Sequence, residues 1–491
     1  MSFATVYSRA HSGMEAPPVT IEVHISYGLP KLSIVGLPET TIKESKDRVR
    51  SALINAGFEF PSQRITINLA PADLPKEGSL FDLPIAIGIL CASGQIKPQT
   101  PLTNYEFAGE LGLSGSVRPI PGALPIAVAA RNAQRTLIIA ENNANHAARV
   151  RDAIVLAAPH LLSVCAHLNN TTPLTPHTYQ APAPPKGPFL DLSDIYGQTL
   201  AKRALEISAA GRHHFLMVGP PGSGKSMLAQ RLPTLLPPMS ETESLAVATL
   251  QSLCEQPECN ERPFYAPHHT ASVYALVGGG NPPAPGAVSR AHHGVLFLDE
   301  LPEFSSKALE GLREPLESGH ITIARAAYTM RLPCQFQLIG AMNPCPCGYK
   351  GSKNQLCRCN AQYIQNYQRK CSGPLMDRID LHLAVSMPTP AELKQTGEKS
   401  SVVKKRVENA HHIQQERAQK HNSRLNGQEI NAHCVLEQKA QSQMNRWCQE
   451  FGISIRGRQS ILKVARTIAD LAGETMIHSH HLDEALQYRK A

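Results

Sequence analysis

The sequence predicts an α/β protein in three parts: a mixed α/β segment, an α/β core built around a glycine-rich loop, and a helical carboxy-terminal segment. Three observations carry this reading. GPPGSGKS (219–226) follows the apolar run HFLMVG and opens the helical stretch MLAQRL. Ahead of it, β-type runs alternate with helical ones, and past about Thr389 the apolar period becomes helical.

In chain order, residues 1–170 alternate TIEVHISYG, KLSIVGL, RITINLA and TLIIA with helical stretches such as KESKDRVRSALINAG. Thr171–Pro188, TTPLTPHTYQAPAPPKGP, is too rich in proline to continue a helix or a central strand and reads as a semi-rigid linker. Residues 189–388 carry the apolar strands HFLMVG, GVLFLDE and FQLIGAMN. Residues 389–491 hold three helical stretches, and in ILKVARTIADLAG the residues Ile461, Ala465, Ile468 and Leu471 or Ala472 share one face. Three domains suit 491 residues.

The formal charge of +8 is thinly spread, so it permits a polyanionic partner without demanding one. The longest apolar run, LPIAIGILCA, is too short to span a bilayer, and Met1–Gly13 has no signal-peptide core. A cytoplasmic protein with no membrane partner is expected. Twelve cysteines in a reducing compartment should be unpaired, which draws attention to clustered ones as metal ligands.

GPPGSGKS fits the P-loop pattern. Gly219, Pro220, Pro221, Gly222, Ser223 and Gly224 let backbone N–H groups curl around phosphate at a helix N-terminus; Lys225 reaches the outer phosphates, and the Ser226 hydroxyl faces magnesium. GVLFLDE is a buried strand that delivers Asp299 to the magnesium and Glu300 to an attacking water. Asn343 ends the next strand and is placed to position that water or the terminal phosphate.

Cys345, Cys347, Cys357 and Cys359 supply four soft ligands within CPCGYKGSKNQLCRC (345–359), matching a closed, structural four-cysteine zinc site, although Cys-x-Cys is tighter than the common knuckle. Cys91, Cys165 and Cys371 are scattered and read as incidental. The pairs His268–His269 and His292–His293 are not expected to share an ion, because neighbours on a strand point to opposite faces; hydrogen bonding is their expected role. His213, His214, His480 and His481 read as surface or helix-start residues.

DLSDIYGQTLAKRALEISAAGRHHFLMVGPPGSGKS, PHHTASVYALVGGG, AHHGVLFLDELPEF, LIGAMNPCPCG and SGPLMDRIDLH together resemble the magnesium-chelatase-like AAA+ ATPases over nearly the whole chain. The resemblance implies a three-layer α/β core with a helical lid. Lys225 and Ser226 match Walker A, Asp299 and Glu300 Walker B, and Asn343 sensor 1. It also implies that Arg378 is an arginine finger offered to a neighbouring subunit, that Arg456 is sensor 2, and that the stretch of Ile195, Tyr196, Gly197 and Gln198 closes over the adenine. Such roles imply a ring, a homo-hexamer. PFYAPHHTASVYALVGGGNPPAPG would be a helix-2 insert, and HITIARAAYTMRLP a hairpin offering Arg325 and Arg331 to DNA in the pore.

LPKEGSLFDLPIAIGIL and FAGELGLSGSVRPIPGALPIAVAA resemble the proteolytic domain of Lon proteases. The positions of the serine and lysine of that dyad fall on Leu80 and Leu124, so a non-proteolytic Lon-like domain, as in RadA recombination helicases, is expected. The family implies an ATP-dependent hexameric helicase that promotes branch migration of DNA in natural transformation. A metal-insertion motor and a remodelling chaperone are the alternatives. Between Asn343 and Arg378 the thiol cluster reads as a staple whose loss disturbs assembly or coupling before nucleotide binding.

Overall fold

Buried and half-buried residues alternate along Phe3–Arg9, Pro18–Ser26 and Arg64–Ala70, the period of strands covered on one face. The computed structural model describes residues 3–10, 14–36, 39–72, 74, 76, 78–181, 190–254, 260–280, 284–325, 328–351, 355–394 and 397–489. It divides into two compact units, Met1–Pro184 with Ser244–Glu258, and Pro185–Glu243 with Cys259–Ala491.

In the first unit those strands pair antiparallel in chain order, and Lys31–Val35 adds a parallel edge to Arg64–Ala70. Helix Asp82–Ala92 is apolar almost all round and lies so close to the sheet that a Cβ on Gly88 would stand 2.5 Å from Val23 Cγ2. A parallel sheet follows, in the order Tyr105–Ala108, Thr136–Ala140, Val155–Ala158. Arg9 ties the two sheets through buried Glu106, at 2.8 Å and 2.7 Å, and Arg135 reaches the same carboxylate at 3.1 Å. Leu80 and Leu124 are both buried in this core. The first part of the proline-rich run is fastened to this unit: His177 N–H donates to Val155 O at 2.8 Å, and Asn145 and Gln180 exchange two hydrogen bonds. Residues 182–188 of that run lie outside the described residues.

The second unit is built on a five-stranded, all-parallel sheet in the order Phe264–Tyr265, Val295–Leu298, Gln337–Met342, Phe215–Val218, Leu381–Ala384. The four inner and outer strands after Phe264–Tyr265 are short and nearly all buried, as strands covered on both faces must be. Gln337–Met342 comes late in the chain but enters between Phe215–Val218 and Val295–Leu298. It therefore delivers Asn343 between the glycine-rich loop and Asp299. Ile461, Ala465 and Ile468 of helix Ile455–Ala472 share a core with Phe215, Met217 and Ile339, whereas Ala472 is exposed. The helical segment is thus packed on the sheet.

His213 departs from the surface expectation. It is fully buried, with Nδ1 2.9 Å from Asp380 Oδ2 and Nε2 2.8 Å from Thr467 Oγ1, and so ties the start of the P-loop strand to the helical segment. His214 is also turned inward and accepts the Leu338 N–H at 3.0 Å. His481 is buried at its helix start and accepts the His478 N–H at 3.1 Å.

Candidate nucleotide site

Strand Phe215–Val218 ends where helix Lys225–Leu235 is about to begin, and the residues between must turn the chain tightly. Gly222 and Gly224 do so at φ 76° and 87°, the left-handed region that side chains disfavour. Gly219 is needed for a different reason, because a Cβ there would lie 2.2 Å from Val385 O.

Lys225 is buried, and its ammonium donates to Gly219 O at 2.7 Å and Pro220 O at 2.9 Å, with Asn343 Oδ1 at 3.4 Å. Burial pushes its pKa below the ordinary lysine value, against the pull of Asp299 and Glu300. Ser226 Oγ donates to Asp299 Oδ2 at 2.7 Å, so hydroxyl and carboxylate stand together as two hard oxygen donors suited to magnesium. Glu300 follows at φ 52°, and its Oε2 lies 3.2 Å from His269 Nδ1. That histidine was expected to hydrogen-bond, but no local signal marks its partner, because the pairing joins residues 31 positions apart.

Ile195 is buried, Tyr196 is half exposed, and Gly197 has φ 62° with room for no Cβ beside Glu392. The next residue, Gln198, binds this segment to the loop by donating to Ser223 O at 3.2 Å and Ser386 O at 2.6 Å. Gln198 is the last residue of the Ile195–Gln198 stretch expected to close over the adenine.

The two remaining arginines are brought to each other. Arg378 Nη2 donates to Glu317 Oε2 at 2.5 Å, and Arg456 Nη2 to Glu317 Oε1 at 3.3 Å. Neither hydrogen-bonds the glycine-rich loop among the described residues; Arg378 also donates to Pro374 O at 2.7 Å. Glu317 sits on the short helix Arg313–Ser318, directly before the hairpin of His320–Arg325 and Tyr328–Pro333. Arg331 is exposed on that hairpin, and the side chain of Arg325 lies outside the described residues. The insert reaches the hairpin, since a Cβ on Gly278 would meet Ile323 Cδ1 at 2.8 Å.

The four thiols converge. Cys345 Sγ is 3.4 Å from Cys347 Sγ and 3.6 Å from Cys357 Sγ, Cys347 is 3.6 Å from Cys357, and all four sulfurs, Cys359 included, lie within 4.8 Å of one another. A tetrahedral zinc with Zn–S near 2.3 Å sets sulfurs about 3.8 Å apart, and a disulfide would need about 2 Å, so the donor set fits an ion. The Lys350 N–H points at Cys345 Sγ at 3.3 Å; the N–H groups of Tyr349 and Arg358 lower the pKa of the Cys347 thiol, while the neighbouring sulfurs push those of Cys357 and Cys359 up.

Both histidine pairs contradict the strand argument used against a shared ion. They do not lie in strands, and their rings are side by side, with centroids 4.1 Å apart for His268–His269 and 3.9 Å for His292–His293. Each ring is instead engaged elsewhere: His268 with Thr270, His269 with Glu300, His292 with the Gln335 N–H and His293 with Glu243.

Three family models cover most of the chain. "Magnesium chelatase, subunit ChlI" matches residues 191–393, "Subunit ChlI of Mg-chelatase" residues 21–143, and "Magnesium chelatase, subunit ChlI C-terminal" residues 397–489. The chain is 50% identical over 502 residues to the competence protein ComM of Haemophilus influenzae, spanning 100% of this chain and 98% of that one. It is 49% identical over 497 residues to YifB of Salmonella typhimurium, covering 100% and 97%. The magnesium-chelatase 38 kDa subunit of Acidiphilium rubrum is 26% identical over 326 residues, 59% of this chain and 86% of that one. With a P-loop, a two-carboxylate strand end and an intervening sensor strand on one parallel sheet, the chain belongs to the magnesium-chelatase-related AAA+ family, in the group that holds ComM and YifB.

Proposed function

We propose that this protein is an ATP-hydrolysing ring motor that acts on DNA, promoting branch migration of the kind needed when incoming DNA is recombined in natural transformation. The observation that carries the reading is the convergence of Lys225, Asn343, Ser226, Asp299 and Glu300 at one end of the sheet, in a chain half identical to a competence protein.

Lys225 exchanges its two carbonyl bonds for phosphate oxygens, and the N–H groups of the loop hold the same anion. Ser226 and Asp299 would hold magnesium, which would supply charge neutralisation at the outer phosphates. Glu300 accepts a proton from the attacking water, and its bond to His269 fixes where that carboxylate points. Asn343 orients the terminal phosphate from beside Lys225. Arg378 and Arg456, joined at Glu317 and, among the described residues, bonded to none of their own glycine-rich loop, act on the nucleotide of the next subunit in a homo-hexamer. Arg331 and Arg325 grip the DNA backbone from the hairpin, a contact that weakens with salt. The first unit is read as a non-proteolytic Lon-like domain, consistent with apolar, buried Leu80 and Leu124.

The test measures ATPase rate and strand exchange on three- and four-way DNA junctions for wild type, Lys225→Ala and Glu300→Gln. Junction-stimulated hydrolysis and strand exchange, lost in both variants, are expected. Hydrolysis indifferent to DNA at low salt would overturn the DNA reading. Stimulation by chelatase partner proteins would then favour the metal-insertion reading, which the likeness to the 38 kDa chelatase subunit keeps in view.

A further inference from the structure

Cys345 stands two residues after Asn343, so the loop that carries the first two thiols begins at the side chain that touches Lys225. At its turn Gly348 is buried with φ 84°, and a Cβ there would stand 2.6 Å from Pro221 Cδ and 2.8 Å from Pro221 Cγ. The loop therefore rests its backbone on the ring of a P-loop residue, at a distance that admits no side chain. Farther along, Lys350 and Gly351 line a cavity of about 570 Å³ together with Gly219, Pro220 and Pro344. Among the described residues the loop's other ties run mostly to itself: the Gly348 N–H donates to Cys345 O at 2.9 Å, the Lys350 N–H points back at Cys345 Sγ, and the N–H groups of Tyr349 and Arg358 point at Cys347, while Gln368 donates to Pro344 O at 3.2 Å.

An irregular segment whose N–H groups are directed largely at its own cysteines keeps one conformation when those cysteines are held together. An ion shared by the four sulfurs holds them so, because a closed structural site contributes folding free energy directly and restricts the loop between its ligands. We propose that the metal-loaded four-cysteine cluster is a buttress for the P-loop: by seating Gly348 on Pro221 and holding Asn343 beside Lys225, it sets the affinity for the nucleotide. The proposal rests on the reading of these thiols as a zinc site, and it reverses the order expected from sequence. Nucleotide binding, within one subunit, is the first thing to weaken when the cluster is emptied.

The experiment uses the full chain and measures two quantities on each sample, bound zinc by elemental analysis and the dissociation constant of a fluorescent ADP. Samples are wild type, wild type stripped by a chelator and then resupplied with zinc, the double variant Cys357→Ser with Cys359→Ser, and Gly348→Ala. Wild type and Gly348→Ala are expected to hold about one zinc ion per chain. Stripping and the double variant should weaken ADP binding about tenfold, and zinc should restore it in the stripped sample. Gly348→Ala should weaken ADP binding while its zinc is retained, because the methyl group pushes on Pro221 and all four thiols remain. Because Gly348→Ala keeps its thiols, its result stands even if the double variant does not fold. Unchanged ADP affinity in the stripped protein or in Gly348→Ala, with zinc measured as expected, would overturn the buttress alone. Wild type devoid of zinc would overturn the metal reading and the proposal with it.

Discussion

Glu243 accepts from Arg262 at 2.9 Å and from Arg212 at 3.2 Å, and His293 Nδ1 lies 3.3 Å away, so one carboxylate separates two arginines. Burial alone would raise its pKa, but Arg212 and Arg262 outweigh that and hold it down to about 2. A folded pKa below the unfolded one stabilises the fold at pH above about 4.3, and that stabilisation is lost as pH falls toward 2. Glu243→Gln should cost about 3–5 kcal/mol, since it leaves two buried cations facing each other. Thermal unfolding followed from pH 7 downward should show the wild-type advantage shrinking below about pH 4.3. An advantage that is flat across that window would contradict the assignment. At the end of strand Val295–Leu298, Glu300 occupies a left-handed conformation that costs an ordinary residue about 1–3 kcal/mol. Glu300→Gln should slow single-turnover ATP hydrolysis by about 10²–10³-fold while a fluorescent nucleotide still binds.

Helix Arg313–Ser318 and the hairpin that follows it form one mechanical path. Glu317 closes the helix against Arg378 and Arg456, and two residues after its end the chain enters the hairpin that carries Arg331. Two guanidinium groups hold together only because a carboxylate lies between them. Glu317→Gln should therefore lower kcat for ATP about tenfold and leave KM within about twofold, as expected when a positioning contact for transition-state charge is lost. A pure rise in KM would point instead to nucleotide binding. On the hairpin, Arg331→Ala should lower DNA affinity at every sequence tested and reduce the slope of log K against log salt by about one. A slope equal to that of wild type would remove Arg331 from the phosphate contacts.

An active site completed by arginines of the next subunit can be rescued between two dead proteins. Lys225→Ala chains keep intact arginines, and Arg378→Ala chains keep an intact P-loop. Mixed in equal amounts, they should recover a substantial part of the ATPase activity that each lacks alone. If Arg378 served its own subunit, the mixture would stay as inactive as its components.

The local parts of this machine were written plainly. GPPGSGKS needs left-handed glycines and a helix start within a few residues, and LDE needs only an apolar strand and the two carboxylates that end it, so both are legible as short strings. The face formed by Ile461, Ala465 and Ile468 is equally local, since helical period alone sets it. Four thiols within one short loop could be recognised as a ligand set for the same reason. What could not be read was anything that depends on strand order or on two distant segments meeting. His269 against Glu300, Glu317 between Arg378 and Arg456, and buried His213 against Asp380 carry no periodicity and no motif. The resting of Gly348 on Pro221 exists because Gln337–Met342 enters the sheet beside the P-loop strand, and only that placement brings the cysteine loop to the glycine-rich loop. Short-range backbone geometry and residue chemistry thus prescribe the phosphate site, whereas the packing of the sheet decides which charges face it and what holds it in place.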